Sequence, residues 1–210
     1  MSDELNRELP TDFFDRLNES AQLLRQNRPG EAIEHLLELH GLAPDNADVA
    51  INLSGAYILQ AKWNRAVSLL KKAVAHHPTN AMLWTNLGAA ELGRLEFSGP
   101  VQQDKAIAAY QRALRVDPHA PNVHYHLGLI YKERGELNRA GAFFQRALEV
   151  NGGDQDAQYW LDRIGRQLAK EQRNRAQTAT DADSDAENGN ADANADSDAD
   201  SSLSAGAENS

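Results

Sequence analysis

Four alanines, Ala32, Ala66, Ala106 and Ala140, recur at a constant interval that is stretched only between Ala66 and Ala106, and each is followed four residues later by a large side chain: Leu36, Leu70, Tyr110 and Phe144. Three residues beyond those come Leu39, Ala73, Ala113 and Ala147. These intervals place all three positions on one face of an α-helix. A second series runs upstream of the first: Leu53, Leu87 and Leu127, each followed by a small residue, Ser54, Gly88 and Gly128. Small beside large at helical spacing is the pattern of two helices packed at close range. A chain that repeats this pattern folds as an array, in which each unit buries its apolar face against its neighbours.

Stop signals close each second helix: Pro44, Pro78 and Pro118, then Gly152-Gly153. Proline cannot continue a helix, and glycine readily takes the left-handed conformation that ends one. Pro10-Thr11-Asp12 reads as a helix start, and Gly135 marks a turn inside the last unit. The chain therefore divides into a polar arm (1–12), four helical pairs (13–46, 47–80, 81–120 and 121–154), a further helix (155–176) and a tail (177–210).

In this phasing the chain resembles the tetratricopeptide repeat family, whose helical hairpins are about 34 residues long. Trp84, Leu87 and Gly88 follow the family's W-x-x-L-G order, and the fourth unit carries Leu127, Gly128, Tyr131, Gly135 and Ala140. The resemblance spans residues 13–154 and implies an all-α fold, a right-handed α-solenoid of helix-turn-helix repeats. There are departures. The first unit has no Leu-Gly pair and no Trp, the fourth has no closing proline, and the third has six extra residues around Arg94 to Pro100. That insertion is expected to lengthen both helices of its pair by nearly a turn, with Pro100 in the first turn of the second helix. Phe97 then sits at the tip of a hairpin. It packs under its own loop, or alternatively offers a partner contact.

Residues 155–176 fit an amphipathic helix, with Ala157, Trp160, Leu161, Ile164 and Leu168 on one side. A stacked array leaves its last apolar face uncovered, so this helix is expected to act as a C-terminal cap. Arg163, Arg166, Lys170 and Arg173 form a stripe on the far side, read as a solvated face. From Gln177 the sequence is Asp, Ala, Ser, Asn and Gly, with Leu203 the one large aliphatic residue. Such a segment cannot bury enough apolar area to offset the entropy of ordering, so a disordered acidic tail is expected. It is either a solubilising tail or a polyanion that competes with a ligand.

Charge is unevenly placed. The 210 residues carry 21 Lys and Arg, all before residue 177, while nine of the 31 Asp and Glu lie beyond it. The body is nearly neutral, which argues against nucleic-acid binding, since that needs a surplus of cations to displace phosphate counterions. No cysteine is present, so there is no disulfide and no thiolate chemistry. No apolar run reaches membrane-spanning length and the start lacks a signal peptide, so a soluble, cytoplasmic protein without membrane insertion is expected.

No phosphate loop, serine elbow or zinc-binding histidine pair occurs. His124 and His126 are two residues apart and point about 200° away from each other on a helix, so they cannot share a metal. No enzyme activity, cofactor or metal is expected. The informative constellation lies on the first helices. Asn18, Asn52 and Asn86 are evenly spaced, one repeat apart, and His126 takes the same phase after the insertion. An amide both donates and accepts, so a ladder of asparagines can hold the main chain of an extended peptide; equally, these residues can be merely solvated. The family resemblance implies a peptide-binding groove here. Leu17, Ile51 and Thr85 share that side, one residue before each Asn. Chaperone-binding members of the family grip a carboxylate with Lys and Arg. The corresponding places here hold Leu17, Met82 and Asn86 in one frame and Ile51, Asn122 and His126 in the next, so that clamp is absent. The expected function is a scaffold, adaptor or assembly factor for a protein or peptide partner, with a self-associating homo-oligomer as the rival.

The capping reading generates a prediction. Replacing Trp160 or Leu161 by Ala should release the C-terminal end first, because each repeat is held only by its neighbours. Hydrogen exchange would then show lost protection in residues 121–168 with 47–80 spared, and uniform loss would count against a cap.

Overall fold

Two of the first helices start where a side chain satisfies their free amides. Asn46 Oδ1 accepts from the backbone N–H groups of Asp48 and Val49, both at 3.0 Å. In the same phase Asn80 Oδ1 accepts from Met82 at 3.1 Å and Leu83 at 3.2 Å. These are N-caps, and they open the helices at Ala47 and Ala81. The corresponding place in the following repeat is Ala120, which has no capping group, and the next helix begins only at Val123. Asn122, just before it, takes a left-handed conformation with φ 62°, which asparagine tolerates better than most residues.

The computed structural model describes residues 9–195. Among them the order is α1 (Phe13–Arg25), α2 (Pro29–Leu42), α3 (Ala47–Leu59), α4 (Trp63–His76), α5 (Ala81–Leu92), a short 3-10 turn (Leu95–Phe97), α6 (Pro100–Val116), α7 (Val123–Glu133), α8 (Leu137–Val150) and α9 (Gln155–Ala195). The described residues contain no strand, and the fold is an α-solenoid of helical pairs. None of these helices is long and apolar enough to cross a membrane.

Within three of the pairs the turn has one construction. Asn27, Ala61 and Gly135 have φ of 56°, 54° and 73°. The next N–H reaches back five residues each time: Arg28 to Leu23 O at 2.9 Å, Lys62 to Tyr57 O at 2.8 Å and Glu136 to Tyr131 O at 2.9 Å. This is the Schellman closure, which satisfies the last carbonyls of the first helix and reverses the chain. In the third pair the insertion replaces it. The insertion does not lengthen both helices, as expected from sequence: α5 has 12 residues, whereas α6 has 17 against 14 in α2, α4 and α8. Gly93, at φ 63°, ends α5 before the extra residues can extend it. Pro100 opens α6, where its missing N–H removes no helical bond.

The chain comprises two units, residues 1–158 and 159–210. In the first, a contiguous buried core runs from Phe13 through Leu36, Leu53, Leu70 and Leu83 to Ala109. Helix pairing is set by small residues meeting rings. A Cβ on Gly88 would lie 2.6 Å from the ring of Tyr110, and one on Gly128 would lie 2.8 Å from the ring of Phe144. Both rings are fully buried. Ser20 and Ser54 occupy the same phase in the first two pairs, where the large partners are Leu36 and Leu70, and all four are buried.

In the second unit, α9 buries Ile164 and half-buries Trp160, Leu161 and Leu168, while Arg163, Arg166, Lys170 and Arg173 are exposed. Arg163 lies over the Trp160 ring at 5.6 Å and donates to Tyr159 Oη at 2.9 Å. The helix continues to Ala195, through the first part of the segment expected to be disordered. Alanines at 176, 179, 182, 186, 191, 193 and 195 carry the highest helix propensity of any residue and run through that stretch. The remaining expected tail, 196–210, and residues 1–8 of the arm lie outside the described residues.

The ring-on-glycine packing predicts that Gly128→Ala destabilises the protein by about 1–3 kcal/mol, the usual effect of overpacking a core. Gly128→Ser combined with Phe144→Leu recreates the arrangement of the second pair and should recover part of that loss. Denaturant unfolding of the two single variants and the double measures the coupling. Purely additive effects would show that the two positions do not set each other's size.

Candidate functional site

Helix α3 packs beside both α1 and α5, so the first helices of three successive pairs form a continuous row. The asparagines at equal spacing on this row differ in what they do. Asn18 is exposed and Asn52 half-buried, and among the described residues neither side chain has a hydrogen-bond partner in the protein. Asn86 is different. Its Nδ2 donates to Ile51 O at 3.2 Å and to Ser54 Oγ at 3.1 Å. Ser54, fully buried, in turn donates to Ile51 O at 2.9 Å. Both donors of the Asn86 amide therefore tie α5 to α3, which leaves its carbonyl oxygen for any ligand. One pair earlier the tie is missing: Ser20 likewise donates within its own helix, to Arg16 O at 2.8 Å, but among the described residues Asn52 makes no bond to it.

The other sequence-selected residues divide similarly. Leu17 is 6% exposed and belongs to the core rather than to an open floor. Ile51 and Thr85 are half-buried, and Thr85 Oγ1 donates to Ala81 O at 3.0 Å. Met82 is exposed at 42%. Asn122 is exposed, at the uncapped start of α7. His126, half-buried on α7, stacks on Tyr110 with centroids 5.6 Å apart and planes 10° apart. It joins the fourth pair to the third rather than extending the row of asparagines, since α7 meets the preceding pair chiefly through α6.

Sequence reasoning missed two features. Ser54 stands where later pairs have glycine, so its hydroxyl was readable as an acceptor one repeat before Asn86. The second is a link at the insertion. Arg134 Nε donates to Gln103 Oε1 at 2.8 Å and its Nη2 pairs with Asp104 at 2.6 Å, which ties α7 to the start of α6. Trp84, half-buried, donates from Nε1 to Pro78 O at 2.9 Å and so braces the entry to α5.

Burial lowers the pKa of His126, and burial followed by the nearby Arg146 lowers that of His124. His40 is lowered by burial and then by Lys72. Among the described residues no group of three or more His, Asp or Glu could hold a metal ion.

Comparison with known proteins agrees with this architecture. Tetratricopeptide repeat models match residues 23–92 and 121–154, and a TPR repeat model matches 102–135. Anaphase-promoting complex subunit 3 of Schizosaccharomyces pombe is 26% identical over 129 residues, covering 61% of this chain and 18% of that protein. Photosystem I assembly protein Ycf3 of Prochlorococcus marinus is 36% identical over 61 residues, 29% of this chain and 30% of that protein. The chain thus spans less than a third of either relative. The crystal structure of a thermophilic TPR protein of Thermus thermophilus superposes with a TM-score of 0.65 at 19% identity, covering 74% of this chain and 82% of that one.

The lowered histidines predict how stability follows pH. A histidine whose folded pKa lies below its unfolded value of about 6.5 binds its proton more readily when unfolded. Stability is then full above that value and falls as the pH drops below it. His126→Phe keeps a ring against Tyr110 and removes one such proton, so its loss of melting temperature between pH 7.5 and 5 should be smaller than that of the parent. Equal losses would mean that His126 contributes nothing to the acid sensitivity.

The regular phasing of the repeats, the paired helices closed by rings on small residues and the three matching repeat models lead to one conclusion: the chain belongs to the tetratricopeptide repeat family.

Proposed function

We propose that the row of first helices, α1, α3 and α5, binds an extended segment of a partner protein, and that the chain serves as an adaptor or assembly factor through that contact. One observation carries the reading: the Asn52 amide is half-buried in the middle of the row, yet is bonded to nothing among the described residues. An amide without a partner in the protein is available to a ligand, and a main chain laid along the row would supply both a donor and an acceptor. Asn18 offers a second free amide one repeat away, and the Asn86 carbonyl oxygen a third contact. Ile51, Thr85 and Met82 add a mildly apolar lining beside them. The family supports a protein-interaction role, and two relatives point the same way by name, one a subunit of a complex and one an assembly protein.

The three asparagines should separate experimentally. Asn18→Ala with Asn52→Ala removes ligand contacts only, so a partner recovered on the full chain should bind roughly tenfold more weakly, with the melting temperature unchanged. Asn86→Ala breaks the tie between α3 and α5 and should cost about 1–3 kcal/mol of stability. Titration and thermal unfolding read the two effects separately. Full affinity in a folded Asn18→Ala, Asn52→Ala variant would move the binding site off this row.

A further inference from the structure

We infer that the insertion in the third pair builds a second docking site, separate from the row of first helices, for a short acidic segment of another protein carrying an aromatic or aliphatic anchor. Phe97 is 80% exposed, so it does not pack under its own loop. An exposed ring on a mobile loop would mean little, but this loop is pinned. Phe97 N–H donates to Arg94 O at 3.0 Å and Ser98 N–H to Leu95 O at 3.1 Å. Ser98 O accepts at 3.0 Å from Nε2 of Gln103, a side chain only 6% exposed. Gln103 is held in turn by Arg134. The ring is thus presented on a fixed support, which lowers the entropy lost on binding.

Beside it lies a cleft of about 520 Å³, lined by Trp63 and Val67 of α4, Leu92 at the end of α5, Phe97, and Lys105 of α6. Large rings at the centre of a contact supply most of the energy of a small interface. The charges around the cleft select its occupant. Lys71 is paired with Glu91 at 2.9 Å and cancels it. Arg94 and Lys105 line the same cleft, and among the described residues neither has an ion pair. Two uncancelled cations beside aromatic surface fit a segment in which Asp or Glu neighbours a large apolar residue, with the charges steering approach and the ring anchoring it. The folded body of a second copy is a poorer occupant, because it is nearly neutral, nine of the acids lying beyond residue 177, and so has little net charge to complement the two cations.

Selection of a random peptide display library on the full chain tests this. Peptides with an acid within a few residues of an aromatic or large aliphatic side chain should be enriched. The best of them, synthesised and labelled, should bind at least tenfold more weakly to Phe97→Ala and to Arg94→Glu with Lys105→Glu, and should bind Asn18→Ala with Asn52→Ala normally. Raising salt from 0.05 to 0.5 M should weaken it further, because exposed charges are screened within about 10 Å already at 0.1 M. Phe97 is a surface residue, so helicity and melting of Phe97→Ala should match the parent and any loss is one of binding. Enriched peptides without acids, capture that survives Phe97→Ala, or capture lost in the asparagine variant would each overturn the assignment. So would a sedimentation-detected dimer abolished by Phe97→Ala, which would give the surface to a second copy.

Discussion

The contact on which the array rests is a ring lying against a helix that has no side chain at that point. Tyr110 and Phe144 are fully buried, and the space that a Cβ on Gly88 or Gly128 would need is filled by ring atoms less than 3 Å away. Helix axes in such pairs approach as closely as the backbone of one and the ring of the other allow. The first two pairs reach the same end with different volumes: a serine where the later pairs have glycine, and a leucine where they have a ring. Interior packing density leaves little tolerance for exchanging one half of such a pair without the other. The two halves are therefore a single unit of information, split between the two helices of each pair and held in phase by the length of the segment that joins them.

That choice of volumes has a consequence outside the core. A serine in the slot keeps a hydroxyl where a glycine offers nothing, and Asn86 uses it: the amide bridges Ser54 Oγ and Ile51 O and locks α5 to α3. Between the third and fourth pairs the slot holds glycine and the lock is of another kind, a stack of His126 on Tyr110 and the Arg134 link to Gln103 and Asp104. The Tyr110 hydroxyl is buried without a partner, and burial pushes its pKa far up, so the phenol stays neutral. Nothing in the structure explains why that ring is tyrosine and not phenylalanine.

How much of this was legible follows from the range of each interaction. The helical pairs are readable because their requirements are local: an alanine, a large residue four on, and a stop recur with the phase of the fold. The fate of the insertion is not readable from spacing. Six residues can extend two helices or one, and the outcome turns on Gly93 taking a positive φ. The missing cap at Ala120 is visible only once Asn46 and Asn80 are known to act as caps. Asn86 shows the limit for the candidate site. Asn18, Asn52 and Asn86 are identical in type and phase, yet an amide serves a ligand and a neighbouring helix equally well. The groups that receive the Asn86 amide, Ser54 Oγ and Ile51 O, belong to other series of the pattern, and the matching Ser20 receives nothing from Asn52. The exposed position of Phe97 was likewise hidden, because composition alone makes a buried ring the better expectation.

The same particulars divide the first-helix surface. From α1 to α5 the first helices lie side by side, whereas α7 starts late, without a side-chain cap, and leans chiefly on α6. The longer α6 follows from the insertion and the shortened α7 from the missing cap at Ala120, and the row of first helices has a seam where the two meet. On the proposed reading, an extended segment would find free amides at Asn18 and Asn52, a tied amide at Asn86, and at His126 an imidazole occupied by a ring stack. Groups able to accept a main chain are thus concentrated at the N-terminal end of the row. The insertion raises Phe97, beside two unpaired cations, on the neighbouring surface. Two changes thus act on different surfaces: the missing cap at Ala120 shortens α7, the last helix of the row, and the insertion creates the surface that can receive another segment.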